Sequence, residues 1–420
     1  MNSSAVNSLP SPSLWLPLFV LLVIGICAVP GLAEDDTRYP FTSETLPAGW
    51  KITGGVVMSK ALLGSFSRKF GGQLSAATNQ DLSINGFGVR VNAITAVSEG
   101  DAEKVEAALL RIRGADFIRR CEARVYEVAS QSVLVARVVF AALGIDADAE
   151  IAWKVSFRIA LVDEFDDTAG NRVFNHFLAL EKDPNDAGAK AAIATETKGW
   201  SFGTTLRLLD GAWTITPEPA SAKSEGGVTT YTFEDPPVQE GVPYVDVTGT
   251  VKVPTRFAPT PGEAAEGLTA ETPYWPVKHY AVSMTVRQAT AGYSEPRAKL
   301  VRLLDRVHQN VRYGGDMGSR DGVVKVLERA RGRCWDKSDV LVTYLRAAGI
   351  PAREVAGWVP PLDAGHVWVE AHVGDGWIPV DATTTWLGTS AEYIPFFRTD
   401  DGKMPIVYLK MPVIERSDAE

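Results

Sequence analysis

The sequence predicts an α+β protein in three parts, and two changes of hydrophobic period along the chain carry that expectation. A mixed α/β stretch over residues 38–145 gives way to strict alternation within residues 146–290, the pattern of a β-rich, sandwich-like region. Over residues 291–400 apolar residues first recur every three to four positions and then alternate again, so helices come before a final sheet.

The amino terminus precedes these parts. Residues 1–33 contain no Asp, Glu, Lys or Arg, and Leu14 to Val29 is almost wholly apolar. Gly31 and Ala33 put small residues at the −3 and −1 positions of a cleavage site before Glu34, so residues 1–33 are expected to be a secretory signal. Their start lacks the usual positive charge. An uncleaved anchor would need about 20 apolar residues, more than are present, so no stable membrane span is expected after cleavage. The expected location is secreted, periplasmic or cell envelope.

In the first part, Asp101 opens a helix with Val105, Ala108, Leu109 and Ile112 on one face, closed by Gly114. Gly86–Val97 reads as a strand before it, and Ala123–Val128 and Ser132–Ala141 as two strands after it. In the second part, Ile151, Trp153, Val155, Phe157, Ile159 and Leu161 alternate as in a half-buried strand. Trp213–Ile215, Thr229–Phe233 and Val245–Val253 continue the series. The Pro- and Gly-containing stretch at 259–267 is a loop or linker. In the third part, Leu300, Leu303, Leu304, Val307 and Val311 line a helix that begins near Pro296, and Val323, Val326 and Leu327 line a shorter one. His176 and His279 stand alone and are expected to be structural.

A formal charge of −9 with no Lys/Arg block argues against nucleic acid as a partner. Of three cysteines, Cys121 and Cys334 lie outside the signal. They could form one disulfide. Cys121, among Phe117, Ile118 and Val125, reads instead as a buried small apolar residue.

Cys334 has a different setting. It follows Gly332 and begins a helix with Leu341, Leu345 and Ala348 on one face, ended by Gly349 and Pro351. A thiol at a helix amino terminus meets the positive end of the macrodipole, which favours the nucleophilic thiolate. His366 opens the alternating run to Ala371 and can serve as its base. Asp381, at the end of Trp377–Asp381, can orient the histidine. Gly374–Gly376 should turn the two strands into an antiparallel hairpin. A two-residue turn at 375–376 sets Asp381 opposite Glu370, about 13 Å along the strand from His366. A four-residue turn at 372–375 sets it opposite His366. The longer turn, or a bulge, is therefore expected, since the short one would remove Asp381 from its orienting role.

The segments around Cys334, Arg353, His366–Glu370 and Trp377–Asp381 resemble the core of bacterial transglutaminase-like proteins over about 90 residues. The resemblance implies a papain-like C-terminal core, with Cys334, His366 and Asp381 as catalytic residues. Tyr313 resembles the family's pre-core tyrosine. Trp335 replaces the small or polar residue expected after the cysteine and would narrow the mouth of the site. Trp335 and Trp368 are the candidate substrate-contacting residues, while Glu370 and Arg353 are framework or positioning groups and His372 a turn residue. No cofactor is implied, and no residue spacing supports a metal, calcium included.

The expected function is an exported thiol enzyme acting on amide bonds of a protein or peptide substrate through an acyl-enzyme. Hydrolysis is favoured over transfer to an amine. Two other expectations remain open: an envelope binding or scaffold protein with an idle thiol fold, and upstream modules that shield the site.

Overall fold

The computed structural model describes residues 39–417 apart from 48–49, 85–86, 114–116, 131–132, 146–149, 166, 255–259, 263, 265, 316–319, 360–364, 375, 385 and 388–392. The expected signal at 1–33 lies outside the described residues. Among those described, no helix is long and apolar enough to cross a membrane.

The amino-terminal part runs β1 (Trp50–Val57), α1 (Lys60–Phe70), β2 (Leu74–Ile84), β3 (Phe87–Ala96), α2 (Glu99–Arg113), β4 (Ile118–Cys121), β5 (Arg124–Ala129) and α3 (Val133–Ala142). Its strands form one antiparallel sheet in the order β1-β2-β3-β5-β4. Alternation gives the sheet two apolar faces. Ala77, Ile94 and Val125 pack under α1 and α2. Leu82, Val91 and Val128 face the other way, toward α3. Glu99 and Asp101 start α2 and Arg111 and Arg113 finish it, matching the helix dipole.

Two expectations are corrected here. Val133–Ala142 is a helix, not a strand; Val135, Ala136, Val139 and Phe140 are buried at helical spacing. A continuous apolar run carries no period that separates a buried strand from a buried helix. Cys121 is exposed on the edge strand rather than buried, because its register opposite Arg124 puts it at the end of the outermost pair.

The second part is built on β6 (Glu150–Ala160). In chain order there follow α4 (Asp167–Lys182), α5 (Ala187–Glu196), β7 (Thr205–Leu209), β8 (Ala212–Thr216), β9 (Ser221–Glu225), β10 (Val228–Thr232) and β11 (Val242–Pro254). Strand β6 pairs with β11 along its whole length. Strands β7, β9 and β10 make a smaller sheet. The helices α4 and α5 carry no signal that was read as helical in the sequence.

The helical layer of the third part comprises α6 (Tyr280–Ala289), α7 (Pro296–Asn310), α8 (Val323–Arg329) and α9 (Cys334–Ala347). It begins earlier than residue 291, because Trp275, Val282 and Val286 bury against residues of α7 and α9. A six-stranded sheet completes it, and its four longer strands are antiparallel: β12 (Ala352–Trp358), β13 (Gly365–Val373), β14 (Gly376–Asp381) and β15 (Ile394–Thr399), ordered β14-β13-β12-β15. The last strand, β16 (Val413–Ser417), returns to pair with β6. A shared core joins the parts: Trp153, Phe157 and Ile159 of β6 bury with Trp358 of β12 and Phe396 of β15.

Gly357 marks the tightest point of this sheet. It sits opposite His366, and a Cβ there would lie 2.1 Å from Ile394 O and 2.6 Å from Trp368 Cη2. Gly357→Ala should therefore part β12 from β15 and shift Trp368. A loss of about 1–3 kcal/mol in urea unfolding is expected, and an unchanged midpoint would show that the strands yield freely.

Candidate active site

The approach to Cys334 is built locally. Arg331 and Gly332 pair in parallel with Arg312 and Tyr313, and α9 starts at the next turn. A Cβ on Gly332 would come 2.6 Å from Asp336 Cβ. The Asp336 carboxylate accepts from Arg333 N at 3.0 Å and Asp321 N at 2.8 Å, which holds the first turn of the helix. Cys334 is thereby presented half-buried at the amino end of α9.

His366 on β13 is 5% exposed and Asp381 at the end of β14 is wholly buried. His366 Nε2 lies 3.0 Å from Asp381 Oδ2, which leaves Nδ1 for the thiol. Asp381 is otherwise saturated: Tyr393 Oη donates to Oδ2 at 2.6 Å and Thr383 N to Oδ1 at 2.7 Å. The His366 ring lies between neighbours too, stacked 6.2 Å from Trp368 and edge-on 5.9 Å from Tyr393.

These contacts separate the charges. Burial pushes Asp381 up, but His366, Tyr393 and Thr383 N–H outweigh it and hold the carboxyl at about 2. Burial pushes His366 down, yet the charge and hydrogen bond of Asp381, with Cys334, raise it to about 10. Burial also pushes the Cys334 thiol up; hydrogen bonds from His366 and Val367 N–H and the histidine's charge bring it below its ordinary 9.0. The lowered thiol, the raised imidazole and the ionised carboxylate all shift the Cys334–His366 pair toward its thiolate–imidazolium form.

The hairpin register corrects the sequence expectation. Val373 pairs with Gly376, so only residues 374 and 375 lie between the strands. Continuing that register sets Asp381 opposite Trp368, neither Glu370 nor His366. The turn is short, and the histidine is still reached, because diagonal cross-strand neighbours two residues apart share a face and lie within reach of long side chains.

Several side chains stand elsewhere than expected. Trp335 packs inward, with the Arg320 guanidinium 4.6 Å over its ring, and joins the core shared with β6. Trp368 is 3% exposed, which leaves a substrate no surface to touch; it braces His366 and meets Tyr393 edge-on at 5.3 Å. His372 lies within β13 rather than in a turn and donates Nε2–H to Gly262 O at 2.8 Å. Arg353 pairs with Glu370 at 2.7 Å and stacks 3.7 Å over Trp377. Tyr313, 55% exposed, lies close enough for the Cys334 charge to raise its hydroxyl's pKa after burial has done so. Cys121 and Cys334 are both free thiols. Among the described residues, no group of three or more His, Cys, Asp and Glu is placed to hold a metal ion. Tyr393 was not singled out in the sequence, since a tyrosine 12 residues beyond Asp381 carries no local mark.

A cysteine heading a buried helix, with histidine and a carboxylate on adjacent antiparallel strands, defines the papain-like class of thiol domain. Residues 283–382 match the profile of the transglutaminase-like superfamily. No curated protein matches the chain significantly. Among solved structures, a candidate cysteine protease from Cytophaga hutchinsonii is 14% identical, with 64% of this chain and 86% of that one covered and a TM-score of 0.37. Legionella pneumophila LapG is 14% identical over 33% of this chain and 86% of its own, with a TM-score of 0.25. A TGase is also 14% identical, over 39% and 43%, with a TM-score of 0.23. These overlaps are too loose to bear on chemistry.

Tyr393→Phe should isolate one support of the site. Asp381 is depressed from 3.8 to about 2, so its stabilisation is present above pH 3.8 and lost as pH falls through about 2. Losing a buried hydrogen bond to this carboxylate should cost about 1–3 kcal/mol at pH 7. The deficit should shrink as pH falls toward 2, because the variant's carboxyl protonates sooner. Urea titrations from pH 7 downward read both; a deficit independent of pH would assign Tyr393 to packing alone.

Proposed function

We propose that the protein is an exported thiol enzyme that cleaves amide bonds in proteins or peptides through an acyl-enzyme on Cys334. The observation that carries this reading is the chain of contacts from a half-buried thiol at a helix amino terminus, through His366, to buried Asp381 at 3.0 Å. The Cys334 thiolate attacks the carbonyl carbon, and the developing oxyanion is met by the Cys334 backbone N–H at the positive end of α9. As the C–N bond breaks, the His366 imidazolium gives its proton to the leaving amine. Asp381 keeps the ring oriented and balances its charge.

Water then attacks the thioester, with neutral His366 taking its proton, and releases the acid and the thiolate. An amine taking water's place would give a cross-linked amide instead. Hydrolysis is favoured on the likeness of the motifs to those of exported bacterial members, and export on the apolar, uncharged character of residues 1–33.

Iodoacetamide labelling at pH 6, read by peptide mass, tests the first step. Cys121, an exposed free thiol, serves as the internal reference. Cys334 should label faster than Cys121, and His366→Ala should abolish the difference. Equal rates at the two thiols in the unaltered protein would sink the proposal. Incubating a casein substrate with and without a primary amine then separates the fates of the acyl group. New amino termini report hydrolysis, and amine-adduct masses report transfer.

A further inference from the structure

The helix-facing side of the amino-terminal sheet carries polar groups where packing alone would favour apolar ones. Asn79 on β2 lies opposite Asn92 on β3, and Asn92 opposite Glu127 on β5, so three polar side chains form one cross-strand row. Two residues along, the same strands present Ala77, Ile94 and Val125 to the core beneath α1 and α2.

The row is not a closed network. Asn92 Nδ2 donates to Glu127 Oε2 at 2.9 Å, and Arg113 Nε stands 3.1 Å from Glu127 Oε1. Asn92 Oδ1 is buried and accepts no hydrogen bond. Asn79, only 8% exposed, makes no side-chain hydrogen bond among the described residues. The buried Asn92 Oδ1 costs about 1–3 kcal/mol, while the unbonded Asn79 amide keeps a little accessible surface.

Both asparagines line one cavity bounded by α1, α2 and the sheet. It is an open cleft, with about 970 Å³ of atom-free space when the solvent at its mouth is counted. Met58, Phe66 and Ile112 make its walls apolar. The charges that line its polar side are already matched. Glu127 faces Arg113, and Arg90 holds Asp81 through two bonds of 2.7 and 3.0 Å. Arg113 Nε is also buried without a hydrogen bond, but its charge is balanced by Glu127, so a charged headgroup would find no uncompensated charge there.

We propose that this cavity binds an uncharged, amide-bearing molecule with an apolar body. Its amide N–H donates to Asn79 Oδ1, its carbonyl accepts from Asn79 Nδ2, and its apolar part fills the space between Phe66 and Ile112. A free carboxamide and a capped peptide are two sources of the same chemistry. The site lies on the sheet face turned away from Trp368 and Tyr393 and is independent of any role for Cys334.

Saturation-transfer NMR on the full chain tests it with octanamide, octanoate, octylammonium and N-acetyl-leucinamide as probes. Octanamide should bind the unaltered protein, and the two charged probes should bind more weakly. Asn79→Leu should weaken octanamide about tenfold or more, the equivalent of one lost polar contact. Its melting temperature should hold or rise, whereas a structural asparagine would lower it on substitution. Stronger binding of N-acetyl-leucinamide than octanamide would assign the site to peptides, and the reverse to small amides. Absence of octanamide binding, equal binding of charged and neutral heads, or no effect of Asn79→Leu would each overturn the proposal. A cavity that holds only water gives the first of these.

Discussion

Residues 336–346 of α9 are buried on every face of the helix, although six of them carry polar or charged groups. Such groups leave water at a cost that only hydrogen bonds offset, so each one dictates a neighbour. Asp336 takes backbone N–H groups from residues 321 and 333. Lys337 Nζ donates to Val311 O, and Ser338 Oγ to Val367 O. Arg346 reaches Ala270 O, Ala352 O and Asp400 O. The helix is thus tied to segments spread between residues 270 and 400, and Cys334 inherits its position from those ties. Ser338 matters most directly: it fastens the helix to the residue beside His366.

Asp339 makes the same demand with a full charge. It receives Arg320 through bonds of 2.8 and 2.6 Å and Trp275 Nε1 at 2.8 Å. Glu354 lies nearby, with Arg320 3.6 Å away. Burial, followed by the charge of Asp339, pushes the Glu354 carboxyl well above its ordinary range. One guanidinium thus faces two buried carboxyls and directs two hydrogen bonds to Asp339. The guanidinium lies between the rings of Tyr274, at 4.1 Å, and Trp335, at 4.6 Å. This explains why the residue after the cysteine is a tryptophan. Its ring covers one face of the guanidinium in this buried ion pair, a task that a small residue could not perform.

The catalytic candidates were legible because each is marked by local chemistry: a glycine turn and helix start for Cys334, and strand ends for His366 and Asp381. The helices α2, α7 and α9 were legible through their periodicity. What escaped depends on partners distant in sequence. The hairpin register followed from where the turn closed, and Trp368 and Trp335 were misplaced because their surroundings come from α3, β6 and Arg320. The strand expected at 132–141 failed for a simpler reason, since Val-Leu-Val-Ala-Arg-Val-Val-Phe suits either buried geometry. Tyr393 shows the limit most plainly. Its hydrogen bond to Asp381 is the shortest that the carboxylate accepts, yet nothing in its neighbourhood of the chain marks it.

The tyrosine also shows why the amino-terminal part cannot be treated as an attachment to a self-sufficient thiol domain. Trp368 and Tyr393 bury in one cluster with Trp50, Leu82, Val91, Val139 and Phe140. The two rings that flank His366 are therefore held on their far side by the sheet of the first part and by α3. A side chain keeps its rotamer only as firmly as its neighbours confine it, since interiors are packed as densely as organic crystals. The orientation of His366 thus depends on Trp368 and Tyr393, and theirs on residues more than 200 positions upstream. A module that covered the thiol would act by leaving. One that braces the histidine from behind acts by staying in place, and the packing around Tyr393 is of the second kind.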